Sequence, residues 1–138
     1  QGMLPTSLSD RYHPYPFLHK QIGAAFTAAD LALSRAGAST LGELPLFGLP
    51  AILVPYPFAW RYQKVNADYL VANGAAEIIE NSVLEQQLLP TLDRLFSAPE
   101  DLKKMRESMH KLSTPHAAEK IADLLLELGG EKNKGGNE

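Results

Sequence analysis

Four side chains in the first half of the chain have the chemistry to hold a hydroxylated, negatively charged ligand: Arg35, Glu43, Gln63 and Asn66. The Glu43 carboxylate carries no proton at neutral pH, so it accepts from both hydroxyls of a sugar diol. The other reading is an acid near a helix start, placed there by the helix dipole alone. Gln63 offers a donor and an acceptor to a sugar, or is a solvated surface amide. Arg35 follows an apolar run and presents a delocalised cation to a diphosphate, or to a carboxylate in a surface ion pair. Gly37 admits a close ligand or a positive φ. Ser39 and Thr40 read first as helix caps and second as phosphate ligands. Asn66 either braces a loop or faces the ligand.

These residues must be positioned by short elements. Residues 12–18 join aromatics to Pro14 and Pro16, which predicts a short strand followed by a loop. Over 19–30, Ile22, Ala25, Phe26 and Ala29 recur at the spacing of one helical face. Residues 30–34 form a short apolar run, read as a buried strand. A helix capped by Ser39 or Thr40, with Glu43 in its first turn, ends at Gly48-Leu49-Pro50. Ala51-Ile52-Leu53-Val54 is continuously apolar and stops at Pro55-Tyr56-Pro57, as a parallel strand covered on both faces would. A helix over 62–73, with Val65, Tyr69 and Leu70 inward, ends at Asn73-Gly74. A strand over 75–79 follows. Helices are expected over 83–96, 98–112 and 115–128, with Pro99 and Pro115 near helix starts. The last residues, 130–138, read as a flexible tail. This alternation predicts an α/β fold, a small parallel sheet flanked by helices, with the ligand crevice beyond the carboxyl ends of the strands. Loops 17–19, 34–40 and 55–63 fall there.

Composition narrows the function. The net charge is −3 and the basic residues are scattered, so the footprint needed to bind nucleic acid is missing. There is no cysteine, which rules out a disulfide framework or thiolate chemistry. His13, His110 and His116 lie in separate segments without the spacing of a zinc site, and His19 alone falls in a crevice loop. No apolar run approaches the roughly 20 residues that cross a bilayer, and the start lacks the pattern of a secretion signal. A soluble, cytoplasmic protein is expected. Gln1-Gly2 ahead of Met3 reads as a tag remnant, which leaves 3–129 as the domain.

The stretches Leu33-Ser34-Arg35-Ala36-Gly37-Ala38-Ser39-Thr40-Leu41-Gly42-Glu43 and Gly48-Leu49-Pro50-Ala51-Ile52-Leu53-Val54-Pro55-Tyr56-Pro57 carry a family resemblance. Together with Gln63, Asn66-Ala67 and Gly74-Ala75-Ala76, they resemble the MurG-like glycosyltransferases of family 28. These are bacterial UDP-N-acetylglucosamine:lipid I N-acetylglucosaminyltransferases of peptidoglycan synthesis. The resemblance implies a partial Rossmann-like domain, the C-terminal donor-binding domain of a GT-B fold, truncated at its N-terminal side. It implies inverting transfer of N-acetylglucosamine from UDP-N-acetylglucosamine to a lipid-linked acceptor. No metal clamp and no cofactor are implied, and the parent protein would be peripheral on the inner face of the cell membrane. By motif position, Glu43 resembles the family glutamate that accepts from the ribose hydroxyls. Gln63 resembles the second residue of a sugar-contacting pair, and Asn66 the asparagine just beyond it. Arg35 and Gly37 match the donor-cleft arginine and glycine, while Leu18 and His19 match a loop whose backbone touches uracil. With Thr40 these are the donor-binding candidates; none is assigned a catalytic or metal-binding role. Trp60 and Tyr62 stand where many relatives carry an aspartate and the first residue of the pair. Trp60 stacks on a sugar face or covers a hydrophobic edge, and another UDP-sugar is open as donor.

The family's acceptor cleft, candidate general base and glycine-rich diphosphate loop have no counterpart in this sequence. Without an aligned base and a complete anion-stabilising site, the chain alone is expected to be inactive. A bare sheet edge and bare apolar helix faces predict a homodimer or a swapped dimer. The alternatives are a non-catalytic nucleotide-sugar-binding subunit of a split glycosyltransferase, and a purely structural domain.

Overall fold

Ala51-Ile52-Leu53 has no polar side chain to place in water, and this run becomes the central strand of the sheet. The computed structural model describes residues 10–58 and 62–134; Gln1, Gly2 and Trp60 lie outside the described residues. Three strands, β1 (Ala32–Ser34), β2 (Ala51–Leu53) and β3 (Ala76–Ile78), pair in parallel in the order β1-β2-β3. The register sets Leu33 beside Ile52 and Ile52 beside Glu77. Parallel neighbours need a long crossover. Helix α2 (Ala38–Phe47) joins β1 to β2, and α3 (Tyr62–Ala72) lies between β2 and β3. A 3-10 turn at His19–Gln21 leads into α1 (Ile22–Ala28) ahead of the sheet. Helices α4 (Leu84–Ser97), α5 (Pro99–Lys111) and α6 (Ala117–Lys134) complete the chain.

Side chains alternate across a strand, so β2 divides its residues between two cores. Ala51 and Leu53 pack with Leu44 and Leu49, with Ala67 and Leu70 of α3, and with Met109 of α5. Ile52 faces the other way, onto Ile79, Leu95 of α4 and Met105 of α5. Every residue of β2 is buried, as its continuous apolarity requires. Pro99 stands in the first turn of α5, as expected, whereas Pro115 precedes α6, which starts at Ala117, and Pro90 lies inside α4.

Several sequence expectations shift. Residues 12–18 form no strand: Pro14 and Pro16 donate no backbone hydrogen bond, and β1 at the sheet edge pairs only with β2. On α3 the inward residues are Ala67 and Leu70, whereas Val65 and Tyr69 are 62% and 51% exposed. The sheet lies close enough to α3 that a methyl group fills the contact. Helix α6 continues past Gly129 to Lys134 instead of ending at residue 128. It leaves Ile121, Leu124, Leu125 and Leu128 exposed.

Helices α2 and α3 end alike. Gly48 (φ 57°) and Gly74 (φ 69°) adopt the left-handed conformation. The next amide reaches back in each case, Leu49 N to Leu44 O at 3.0 Å and Ala75 N to Leu70 O at 2.9 Å. A Cβ at Gly48 would overlap the His110 ring, whereas one at Gly74 would meet only Ser108 Oγ at 3.5 Å. Gly74→Ala is therefore expected to cost about 1 kcal/mol from backbone strain alone. Gly48→Ala should cost about 2 kcal/mol or more, because a steric clash adds to the same strain. Urea unfolding of the two variants, with Gly48→Ala/His110→Ala recovering part of the loss, measures the difference.

Candidate functional site

Parallel strands bring their carboxyl ends to one edge, and the loops that leave β1 and β2 there carry most of the predicted residues. After β1, Gly37 has an extended backbone (φ −67°) and stands as the N-cap of α2 without a side-chain cap. The expected positive φ is not used, and an added Cβ would meet nothing within 4 Å, so this side of Gly37 is open. Ser39 and Thr40 are not caps but lie inside the first turn. The Thr40 hydroxyl donates to Arg35 O at 3.0 Å, which ties the turn to the loop before it. Glu43 falls one turn later than expected, beyond the first turn of α2. That removes the strongest helix-dipole reason for an acid here, because the effect fades within a turn.

Glu43 lines a cavity of about 340 Å³ with Leu18, Ser34, Ser39 and Thr40 above an apolar floor that includes Phe26 and Leu33. Its carboxylate is exposed and pairs with no cation among the described residues. Leu18 joins this cavity from the loop before α1. His19, next to it, has a positive φ of 39° and stacks on Phe17 with ring centroids 5.4 Å apart. It lines a shallow neighbouring depression with Leu18 and Lys20.

The remaining candidates meet around Tyr56. Arg35 Nη1 donates to Val54 O at 3.0 Å, and its guanidinium carbon lies 5.5 Å from the centre of the Tyr56 ring. Tyr56 N–H donates to Gln63 Oε1 at 2.9 Å. Asn66 Nδ2 donates to Ala36 O at 3.0 Å, so this amide braces the loop after β1. A second cavity of about 640 Å³ opens beside Tyr56, lined by Pro55, Pro57, Lys64, Val65, Asp68 and Glu80. The Lys64 ammonium is held above its ordinary pKa by its hydrogen bond to Asp68, then by the charges of Asp68 and Glu80, against desolvation. Glu43 lines the first cavity and Gln63 lines neither. Ser34 borders one, while Arg35, next in the chain, covers the tyrosine that borders the other.

The sequence reading missed Tyr56 as the meeting point. The available signal was the proline on each side, which interrupts the ladder and leaves the intervening N–H without a strand partner. Tyr62 is exposed on the first turn of α3. His116 pairs with Glu119 at 2.9 Å, and no histidine or carboxylate cluster suited to a metal occurs among the described residues.

Comparison with known proteins places the fold in a family. The family model of the glycosyltransferase family 28 C-terminal domain matches residues 4–124. The UDP-N-acetylglucosamine--N-acetylmuramyl-(pentapeptide) pyrophosphoryl-undecaprenol N-acetylglucosamine transferase of Roseiflexus sp. (strain RS-1) is 42% identical over 89% of this chain and 32% of that protein. The enzyme of the same name from Gloeobacter violaceus is 44% identical over 84% of this chain and 33% of its own length. The crystal structure of Acinetobacter baumannii MurG superposes with a TM-score of 0.74 at 31% identity, over 82% of this chain and 33% of that one. The chain spans about a third of the length of the curated relatives it matches. Its small parallel sheet flanked by helices is that of a GT-B, Rossmann-like C-terminal domain closely resembling MurG. The chain belongs to the glycosyltransferase family 28 C-terminal domain family.

Proposed function

We propose that this domain binds the nucleotide-sugar donor, UDP-N-acetylglucosamine, for an inverting transfer to a lipid-linked N-acetylmuramyl-pentapeptide acceptor. The observation that carries the reading is the unpaired Glu43 carboxylate at the rim of an apolar-floored cavity. A uridine needs a flat apolar bed for its base and an acceptor for its ribose diol. Leu18, Phe26 and Leu33 supply the first, and Glu43 the second. The open side of Gly37 and the start of α2 lie next in the chain, where backbone N–H groups favour an anion such as the diphosphate. Arg35 serves this design as a brace, because its guanidinium is already committed to Val54 O and Tyr56.

Transfer also needs a base aligned on the acceptor hydroxyl, and no group on this domain is assigned that role. The acceptor and its base belong, on this reading, to a partner domain, and the whole enzyme works at the inner membrane surface. No helix among the described residues is long and apolar enough to cross a membrane, which agrees with a peripheral association.

Calorimetric titration is expected to show saturable binding of UDP. Glu43→Ala should weaken it by about tenfold or more, the loss of a hydrogen bond to a charged group. The decisive comparison uses 2′-deoxy-UDP, which should bind the parent chain more weakly than UDP and bind Glu43→Ala no differently from UDP. Equal discrimination by both proteins would remove Glu43 from the ribose. A second outcome is expected in an activity assay: the chain alone neither hydrolyses UDP-N-acetylglucosamine nor transfers its sugar, and measurable turnover would overturn the division of labour.

A further inference from the structure

Three segments meet beyond the ends of β1 and β2, and each pair is joined through a side chain. Residues 35 and 36 reach 54–56 through Arg35. Tyr56 reaches α3 through Gln63, and α3 returns to Ala36 through Asn66. The circuit is closed. Gln63 and Asn66 are three residues apart on α3, so they stand on one face of the helix and can hold both loops at once.

The chemistry of each bond also fixes what remains. Tyr56 N–H is a donor, so the Gln63 oxygen must turn toward it and both amide hydrogens are left over. Ala36 O is an acceptor, so Asn66 turns its nitrogen inward and keeps its oxygen and one amide hydrogen. We infer that Gln63 and Asn66 are positioning residues, forming a clamp by which α3 sets the two loops against each other, and that Gln63 turns both of its amide hydrogens to a ligand. The clamp stands on the geometry alone. The contact with a ligand rests on the donor-binding reading proposed above, in which those hydrogens would meet a sugar oxygen.

Glutamate separates the two roles, because its carboxylate still accepts from Tyr56 N–H but donates nothing. Amide hydrogen exchange, followed residue by residue by NMR on the full chain, is the first measurement. Tyr56 N–H should exchange slowly in the parent and in Gln63→Glu. It should exchange about fivefold faster or more in Gln63→Leu, as loss of a hydrogen bond predicts. Asn66→Ala should also speed Tyr56, although Asn66 does not bond to it, because opening the circuit at one corner loosens the others. Ile79 N–H, bonded to Leu53 O at 3.0 Å in the sheet, reports that each variant is folded. Parent-like exchange of Tyr56 in either Gln63→Leu or Asn66→Ala would overturn the clamp. The second measurement is the ratio of affinities for UDP-N-acetylglucosamine and UDP. Gln63→Glu should lower that ratio about tenfold while UDP affinity is kept, the usual cost of one lost polar contact. An unchanged ratio would overturn the assignment of the Gln63 amide hydrogens to the sugar. A parent chain that binds neither nucleotide would sink the donor-binding reading, and exchange at Tyr56 would still decide the clamp.

Discussion

The parallel pairing of β2 with a neighbour on each side is the constraint from which the other features follow. A strand buried on both faces has to satisfy its backbone groups with other strands, since no water reaches them. Pairing in the parallel sense forces α2 and α3 to return the chain to the same end of the sheet, and all three carboxyl ends then open at one edge. The ladder persists one residue beyond the strands there, through Val54 N to Ser34 O at 2.9 Å and Ile79 N to Leu53 O. The loops at this edge therefore leave the sheet from anchored positions, and short strands suffice to aim them.

Helices α2 and α3 stop in the same way. Gly48 and Gly74 turn the chain at the same point relative to the last helical carbonyls, and the next strand begins at Ala51 in one case and at Ala76 in the other. This works only where the backbone accepts a positive φ, which is why glycine occupies both turns. At Gly48 the absent side chain also makes room for His110, so α5 comes down onto the end of α2. A residue dictated by backbone geometry thus also shapes the packing of a distant helix.

The parts of the fold that were legible in the sequence were those where one force dominates. Ala51-Ile52-Leu53 could only be interior, and the amphipathic patterns of α4 and α5 left one face for the core. The misreadings occurred where two forces compete. Aromatic residues before Leu18 favour a strand, but the prolines remove donors and no described strand lies beyond β1 to pair with them. Val65 and Tyr69 are large and apolar, yet proximity of the sheet selects Ala67 for the contact. Hydroxyls at 39 and 40 suggest a cap, but Gly37 takes that place and shifts Glu43 to the second turn. Within the site, residue types were readable and their commitments were not. Nothing in the sequence says that Arg35 spends its guanidinium on Val54 O, because that partner is a backbone atom brought near by the sheet.

Those commitments decide what this edge of the sheet can recognise. Thr40, Arg35, Asn66 and the Gln63 oxygen all hold protein backbone, so they cost the domain no further ordering when a ligand arrives. What is left is sparse and of opposite polarity: the Glu43 carboxylate, which accepts, and the two hydrogens of the Gln63 amide, which donate. They do not line a common cavity, and the segment from Ser34 to Gly37 lies between them in the chain. A small sugar reaching one of them would gain nothing from the other. On the proposed donor-binding reading, the arrangement suits an extended ligand with a diol near an apolar base at one end, an anion along the middle and further hydroxyls at the far end. A nucleoside diphosphate sugar has those parts in that order.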